Sequence, residues 1–215
     1  MANNQFGFIM TKPTTTDAYG NTVSFNVPNG IVGIATNSAG KWATGGNLVA
    51  KKSLIGGEYV ECSVTYSHTG GPQSQGWYFW YGYNGSGTYI SLGYDPTGHN
   101  IRLDLSYRSS WGVWKTKMYD STSGITKGWY TISGPSAWKI ASSWIMFEAG
   151  DNSICITYSP LSSGITFNNM WYFDINGNQI WFTPSASSSI NNNPPTCSSC
   201  ISRNTSTPKV SYSGC

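Results

Sequence analysis

Short runs of alternating apolar and polar residues, cut off from one another by Gly, Asn, Asp, Pro and Ser clusters, recur along most of this 215-residue chain. Their spacing of roughly 8 to 12 residues is the rhythm of β-sandwiches and barrels. Phe6–Met10, Thr22–Val27, Ile31–Ile34, Tyr59–Tyr66 and Trp77–Tyr81 form a first set of expected strands. Tyr89–Leu92, Ile101–Tyr107, Val113–Tyr119, Trp129–Ile132, Ser143–Ala149, Ile154–Tyr158, Ile165–Phe167, Met170–Ile175 and Gln179–Phe182 form a second. No window combines a helical period with helix caps. Asp174–Gln179, with Asn176-Gly177 supplying positive φ, reads as a hairpin turn, and so does Asp120–Gly124. The expected fold is all-β: two packed antiparallel sheets, a concanavalin-like or jelly-roll sandwich, over residues 1–183. After Phe182 the apolar alternation stops, so residues 184–215, rich in Ser, Asn, Pro and Cys, are expected to be an irregular extended tail.

One of these strands carries a residue that does not suit it. Trp144-Ile-Met-Phe-Glu148-Ala149 sets a carboxylate, one of only three glutamates in the chain, in an apolar run. Alternation places Glu148 on the face of Trp144 and Met146 and turns Ile145 and Phe147 the other way. A desolvated, unpartnered carboxylate costs several kcal/mol if ionised, so such a group is partnered, protonated or functional. The purely structural alternative is a Glu148 satisfied by a Lys, an Arg or Tyr hydroxyls.

Composition narrows the remaining classes. Charged residues make up 10% of the chain, and the net charge of +3 is dispersed, with Lys51-Lys52 as the only basic doublet. Nucleic-acid partners are therefore not expected, because aromatic stacking platforms come with basic grooves. No run is long enough for a membrane span. A polar surface with few ionisable groups loses little on acidification, which predicts acid tolerance. The chain opens Met-Ala-Asn-Asn, with neither a basic n-region nor an apolar h-region. An extracellular protein, or one at the surface of a virion or cell, reconciles that start with this composition.

Five cysteines, Cys62, Cys155, Cys197, Cys200 and Cys215, preclude complete internal pairing. Cys62 and Cys155, both in strand-like segments, are candidates for one inter-strand bridge. His68 and His99 stand in separate loops, so no metal site and no cofactor are expected.

Several segments, taken in order, resemble the glutamic peptidases, or eqolisins. Asn4-Gln-Phe-Gly-Phe-Ile9 is similar to the family's N-terminal Asn-Trp-Ala/Gly-Gly strand, and Val23-Ser-Phe-Asn-Val-Pro28 to the strand ending in Val-Pro. Ile31-Val-Gly-Ile34 resembles Trp-Val-Gly-Ile, and Trp77-Tyr-Phe-Trp-Tyr81 resembles Trp-Tyr-Glu-x-Tyr-Pro. Ser143–Ala149 is similar to Ala-Glu-Trp-Ile-x-Glu-Ala-Pro, and Pro160–Phe167 to the Pro-Leu-Ala segment that follows it. The resemblance spans about residues 4 to 178. It implies a concanavalin-like sandwich and an endopeptidase active at acid pH, with Glu148 in the position of the catalytic glutamate. In the family that residue activates water as general base, and a glutamine amide helps hold the nucleophile and stabilise the oxyanion.

This chain departs from the pattern around Glu148. The segment expected to carry the glutamine, Asn47–Lys51, places Ala50 there. Ala35 replaces an Asp, Gln5 the first-strand Trp, and Phe79 the Glu of the aromatic strand. Gln5, Gln73, Gln75 and Gln179 are the remaining sources of an amide, and Gln5 is the leading one because its strand already belongs to the site. The candidate catalytic pair is thus Glu148 and Gln5. Trp77, Tyr78, Trp80, Trp144 and Glu61 are candidates for binding a polypeptide substrate.

Two other readings use the same residues. A glycoside hydrolase needs two carboxylates, and Glu61 with Glu148 is the sole plausible pair, joined at most by Asp104. A non-catalytic subunit of an extracellular or virion assembly would instead use Trp77, Trp80, Trp111, Trp114, Trp129 and Trp144 to bind carbohydrate or an extended peptide. Its tail would then reach neighbouring subunits by strand addition or an intermolecular disulfide.

Overall fold

A computed structural model describes residues 4–10, 16–54, 56–150, 165–180, 186–191 and 201–212. The described chain is almost entirely β-structure. The first half contains β1 (Asn4–Met10), β2 (Gly20–Asn26), α1 (Ile31–Asn37), β3 (Trp42–Lys51), β4 (Tyr59–Ser67), β5 (Gly76–Tyr83), β6 (Ser86–Ser91) and β7 (Asn100–Tyr107). There follow β8 (Trp114–Asp120), β9 (Ile125–Ile132), β10 (Ser142–Ala149), β11 (Ile165–Thr166), β12 (Asn168–Phe173) and β13 (Gln179–Ile180). The last strands are β14 (Ala186–Asn191), β15 (Ile201–Asn204) and β16 (Lys209–Tyr212).

Two large antiparallel sheets form the sandwich. A seven-stranded sheet runs β14-β1-β10-β3-β4-β5-β6, and a six-stranded sheet runs β13-β12-β2-β7-β8-β9. Alternate residues of both sheets meet in one core. Phe8, Leu48, Cys62, Val64, Phe79, Ile145 and Phe147 come from the first, and Val23, Phe25, Leu103, Leu105, Trp114 and Met118 from the second. Burying such side chains stabilises by about 1.5–3 kcal/mol each, so the period-two pattern fixes which face of every strand turns inward.

The expected hairpins form. Asp174 accepts backbone hydrogen bonds from Asn176 and Asn178, Gly177 takes φ 85°, and β12 pairs with β13 across the turn. The turn between β8 and β9 closes through a 2.8 Å hydrogen bond from Gly124 N to Asp120 O.

Four expectations need correction. Ile31–Ile34 lies in a seven-residue helix, α1, whose Ile31, Ile34 and Ala35 are buried. The spacing i, i+3, i+4 is helical, and it was hidden by the shortness of the segment. Trp42–Lys51 is not among the expected strands, because Gly45-Gly46 interrupts its alternation, yet β3 occupies the centre of the larger sheet between β10 and β4. Cys62 is a free thiol packed in the core, not half of a bridge. Burial, above all, raises its pKa. Cys155, Cys197, Cys200, Cys215 and the strand expected at Ile154–Tyr158 lie outside the described residues.

Nor does the sheet end at residue 183. β14 pairs with β1, and the β15–β16 hairpin pairs with β11. These three strands pair within the chain.

Candidate active site

A cleft of about 680 Å³ lies on the face of the seven-stranded sheet turned away from the core. That volume is in the range of small-molecule and peptide-side-chain sites. Its floor is built by period-two alternation. β10 contributes Trp144, Met146 and Glu148, while Ile145 and Phe147 point into the core, as the sequence predicted. β4 contributes Glu61, Ser63 and Thr65, and β1 contributes Gln5.

β3 supplies Thr44, Asn47, Val49 and Lys51 only because it contains an irregularity. The β3–β4 register shifts between Thr44 and Gly46, and the β3–β10 register shifts between Met146 and Ala149. A bulge of this kind re-aims side chains on either side of it. Gly46 (φ 155°) sits against the Phe25 ring, where an added Cβ would come within 2.3 Å of Cζ.

Glu148 is 7% exposed, at the meeting point of three strands. Gln5 is its direct cross-strand partner on β1, and the Gln5 amide Nε2 donates to Glu148 Oε1 at 2.7 Å. From the other side, Asn47 Nδ2 donates to Glu148 Oε2 at 3.2 Å. The Glu148 backbone N–H donates to Thr44 Oγ1 at 2.8 Å. One carboxylate thus receives a side-chain amide on each oxygen, an arrangement that orients it and favours its charged form.

The second carboxyl of the cleft is Glu61. It is 6% exposed and accepts a 3.5 Å contact from the same Asn47 Nδ2. Burial first, and the Glu148 carboxylate second, push its pKa up, against the opposing effects of Asn47 and Lys51. Lys51 Nζ rests 3.8 Å from the centroid of the Trp144 ring, and burial lowers its pKa. Trp80 and Tyr89 complete the wall, their ring centroids 6.2 Å apart. Burial, then Glu61 and Glu148, raise the pKa of Tyr59, to about 12, and of Tyr89.

Solved structures share this architecture. The chain superposes on a scytalido-glutamic peptidase bound to a transition-state-analogue inhibitor with a TM-score of 0.59 at 15% identity, covering 98% of both chains. The fold is that of the glutamic peptidases. The same enzyme with a peptide-based transition-state analogue gives 0.58 at 14% identity. SCP-B, an eqolisin in complex with the tripeptide Ala-Ile-His, gives 0.55 at 14%, and each again covers 98% of both chains. No protein-family model matches the chain, and no curated protein matches it by sequence.

Within this glutamic peptidase fold, the sequence-predicted residues divide. Glu148, Gln5, Glu61, Trp80 and Trp144 share the cleft. Trp77 does not: it is 6% exposed and packs on Tyr66 in the core, because it falls on the opposite face of β5 from Trp80. Tyr78 stands on the Trp80 face beyond the cleft lining, with its hydroxyl donated to Ser74 O and its ring against Tyr89.

Other candidates lie elsewhere. Ala50 points into the core, and Asn47 is the β3 residue whose amide faces Glu148. The sequence points to Ala50 rather than Asn47 because the resemblance sets the glutamine position there, and nothing local shows which residues of this segment face the cleft. Gln73 and Gln75 belong to the loop before β5, and Gln179 lies in β13 of the other sheet. Asp104 does not join the carboxyl pair. It is buried in the six-stranded sheet, bonded to Arg102 Nε at 2.9 Å with Lys117 Nζ at 3.5 Å. The six tryptophans do not line one groove either. Trp114 is a core residue packed at a tilt on Trp138, and Trp111 pairs with Trp129 under Arg108 beside the six-stranded sheet.

Among the described residues, no group of three His, Cys, Asp or Glu is placed to hold a metal ion, and no helix is long and apolar enough to cross a membrane.

Proposed function

We propose that the cleft is the active site of an endopeptidase working at acid pH, with Glu148 as the group that takes a proton from the attacking water. The observation that carries this reading is the Gln5 amide held 2.7 Å from the Glu148 carboxylate, in an open cleft, on a glutamic peptidase fold. Gln5 and Asn47 fix the carboxylate, and either amide is placed to donate to an oxyanion forming beside it. The substrate is an extended polypeptide lying over Trp144, Trp80 and Tyr89. Such a protein works outside the cell, in keeping with a chain in which only 10% of residues are charged.

The test is incubation of an unfolded protein with the purified chain between about pH 2 and 5, beside Glu148→Gln, a change that keeps shape and removes the base. Cleavage by the wild type and a loss of about 10³-fold or more in the variant are expected. Equal rates in the two, or no cleavage by either, sink the peptidase reading. In the latter case, binding of an insoluble polysaccharide or self-assembly is what the cleft and its aromatic wall would serve.

A further inference from the structure

We propose that Glu61 is a second catalytic carboxyl in this cleft: it keeps a proton beside ionised Glu148 and delivers that proton to the leaving amine. The assignment rests on the reading of Glu148 as the base. It divides between two groups the acid and base work that a single glutamate would otherwise perform in turn.

Geometry brings the two together. Asn47 Nδ2 lies 3.2 Å from Glu148 Oε2 and 3.5 Å from Glu61 Oε2, so these oxygens are less than about 7 Å apart. Two carboxyls held this close by one amide are within reach of the same bound peptide group. Glu61 has no ion pair among the described residues, and its one hydrogen bond, from Asn47, is long. Lys51, the nearest cation, is engaged with the Trp144 ring. The other titratable groups facing the pair are the Tyr59 and Tyr89 hydroxyls, which carry no charge at acid pH.

A carboxyl that is buried, makes no ion pair and stands beside a second carboxylate stays protonated while its neighbour ionises. Glu58, three positions earlier, behaves oppositely. Partly exposed and bonded to Lys52 and Tyr83, it is held below its ordinary pKa. Glu61 lies within β4 on the cleft floor, whereas Glu58 precedes the strand.

The step balances. Water adds to the peptide carbonyl carbon as its proton passes to Glu148, and the new oxyanion is met by an amide of Gln5 or Asn47. On collapse the C–N bond breaks, its electron pair remains on nitrogen, and that nitrogen takes the proton of Glu61. Glu148 is left protonated and Glu61 ionised, and one proton exchanged between them through solvent restores the starting state.

The experiment compares wild type, Glu61→Gln and Glu148→Gln on a peptide and on an activated ester whose leaving oxygen needs no proton. For Glu61→Gln we expect peptide cleavage to fall by about 10²–10⁴-fold, the range for loss of a general acid, with ester cleavage near the wild-type rate and the alkaline limb of the pH profile gone. Glu148→Gln should lose both substrates. Parallel loss of ester and peptide in Glu61→Gln, or a retained alkaline limb, overturns the assignment and leaves the peptidase reading standing. A wild type inactive on both substrates overturns both.

A third arm needs no turnover. With only three glutamates, selective ¹³C labelling yields three carboxyl signals. The Glu61 midpoint should drop in Glu148→Gln. A midpoint unmoved by that substitution overturns the shared proton.

Discussion

Glu148, Gln5, Asn47 and Glu61 differ in how visible they are before the chain folds. Glu148 is legible because a carboxylate in an apolar strand must be explained, and Glu61 because it is the one plausible partner for a carboxylate pair with Glu148. Gln5 becomes compelling only when β1 lies beside β10 in a register that sets it against Glu148. Asn47 has no signature at all. Its amide is nonetheless hydrogen-bonded to both carboxyls of the cleft. Asn47→Ala should lower kcat for peptide cleavage by about 10²–10³-fold, the cost of losing one oxyanion donor, with little change in KM. Steady-state kinetics on one peptide at acid pH check this. A change confined to KM would mean that Asn47 only shapes the binding surface.

At the level of elements, β3 was the least predictable strand and is the one that assembles the site. Its Gly45-Gly46 pair breaks the alternation that identifies a strand, and the same break turns Asn47 toward Glu148 while Leu48 and Ala50 enter the core. Gly46 tolerates this because no side chain contests the space filled by Phe25. Gly46→Ala should therefore destabilise the fold by about 1–3 kcal/mol, the usual cost of overpacking, and reduce activity beyond the stability loss as the bulge shifts. Denaturant unfolding alongside the peptide assay would test it, and unchanged stability would mean that the bulge relaxes freely. The tryptophans teach a related lesson. Trp77 and Trp80 lie in one aromatic run, but opposite parity sends the first to the core and the second to the cleft.

The whole molecule couples these local charges to pH. Glu61 has a raised pKa in the folded protein, so its contribution to stability is fully present below about pH 4.3, the ordinary glutamate value, and is lost as pH rises through the raised value. Asp120 is opposite in sign. Burial raises its pKa, but hydrogen bonds from His99, Ser123 and Tyr94 outweigh this and hold it at about 2. Its contribution is present above about pH 3.9 and is lost as pH falls toward that value. The melting temperature should thus be higher near about pH 4 than above neutrality, and Glu61→Gln should flatten the alkaline decline. Calorimetry across that span measures both. A wild-type profile that rises toward neutrality would contradict the burial of a protonated Glu61.

The sequence by itself determined the class of fold, the inward and outward faces of most strands, and the presence of a carboxylate that needed a reason. Those properties follow from local periodicity and composition, which each segment carries alone. Only the tertiary structure decided which amides reach Glu148, that Asp104 stands apart from the Glu61–Glu148 pair, and that residues 186–191 complete the sheet edge. These depend on strand order, on register, and on one bulge stabilised by a ring from the opposite sheet. Contacts of that kind belong to the folded sandwich and to no segment of it.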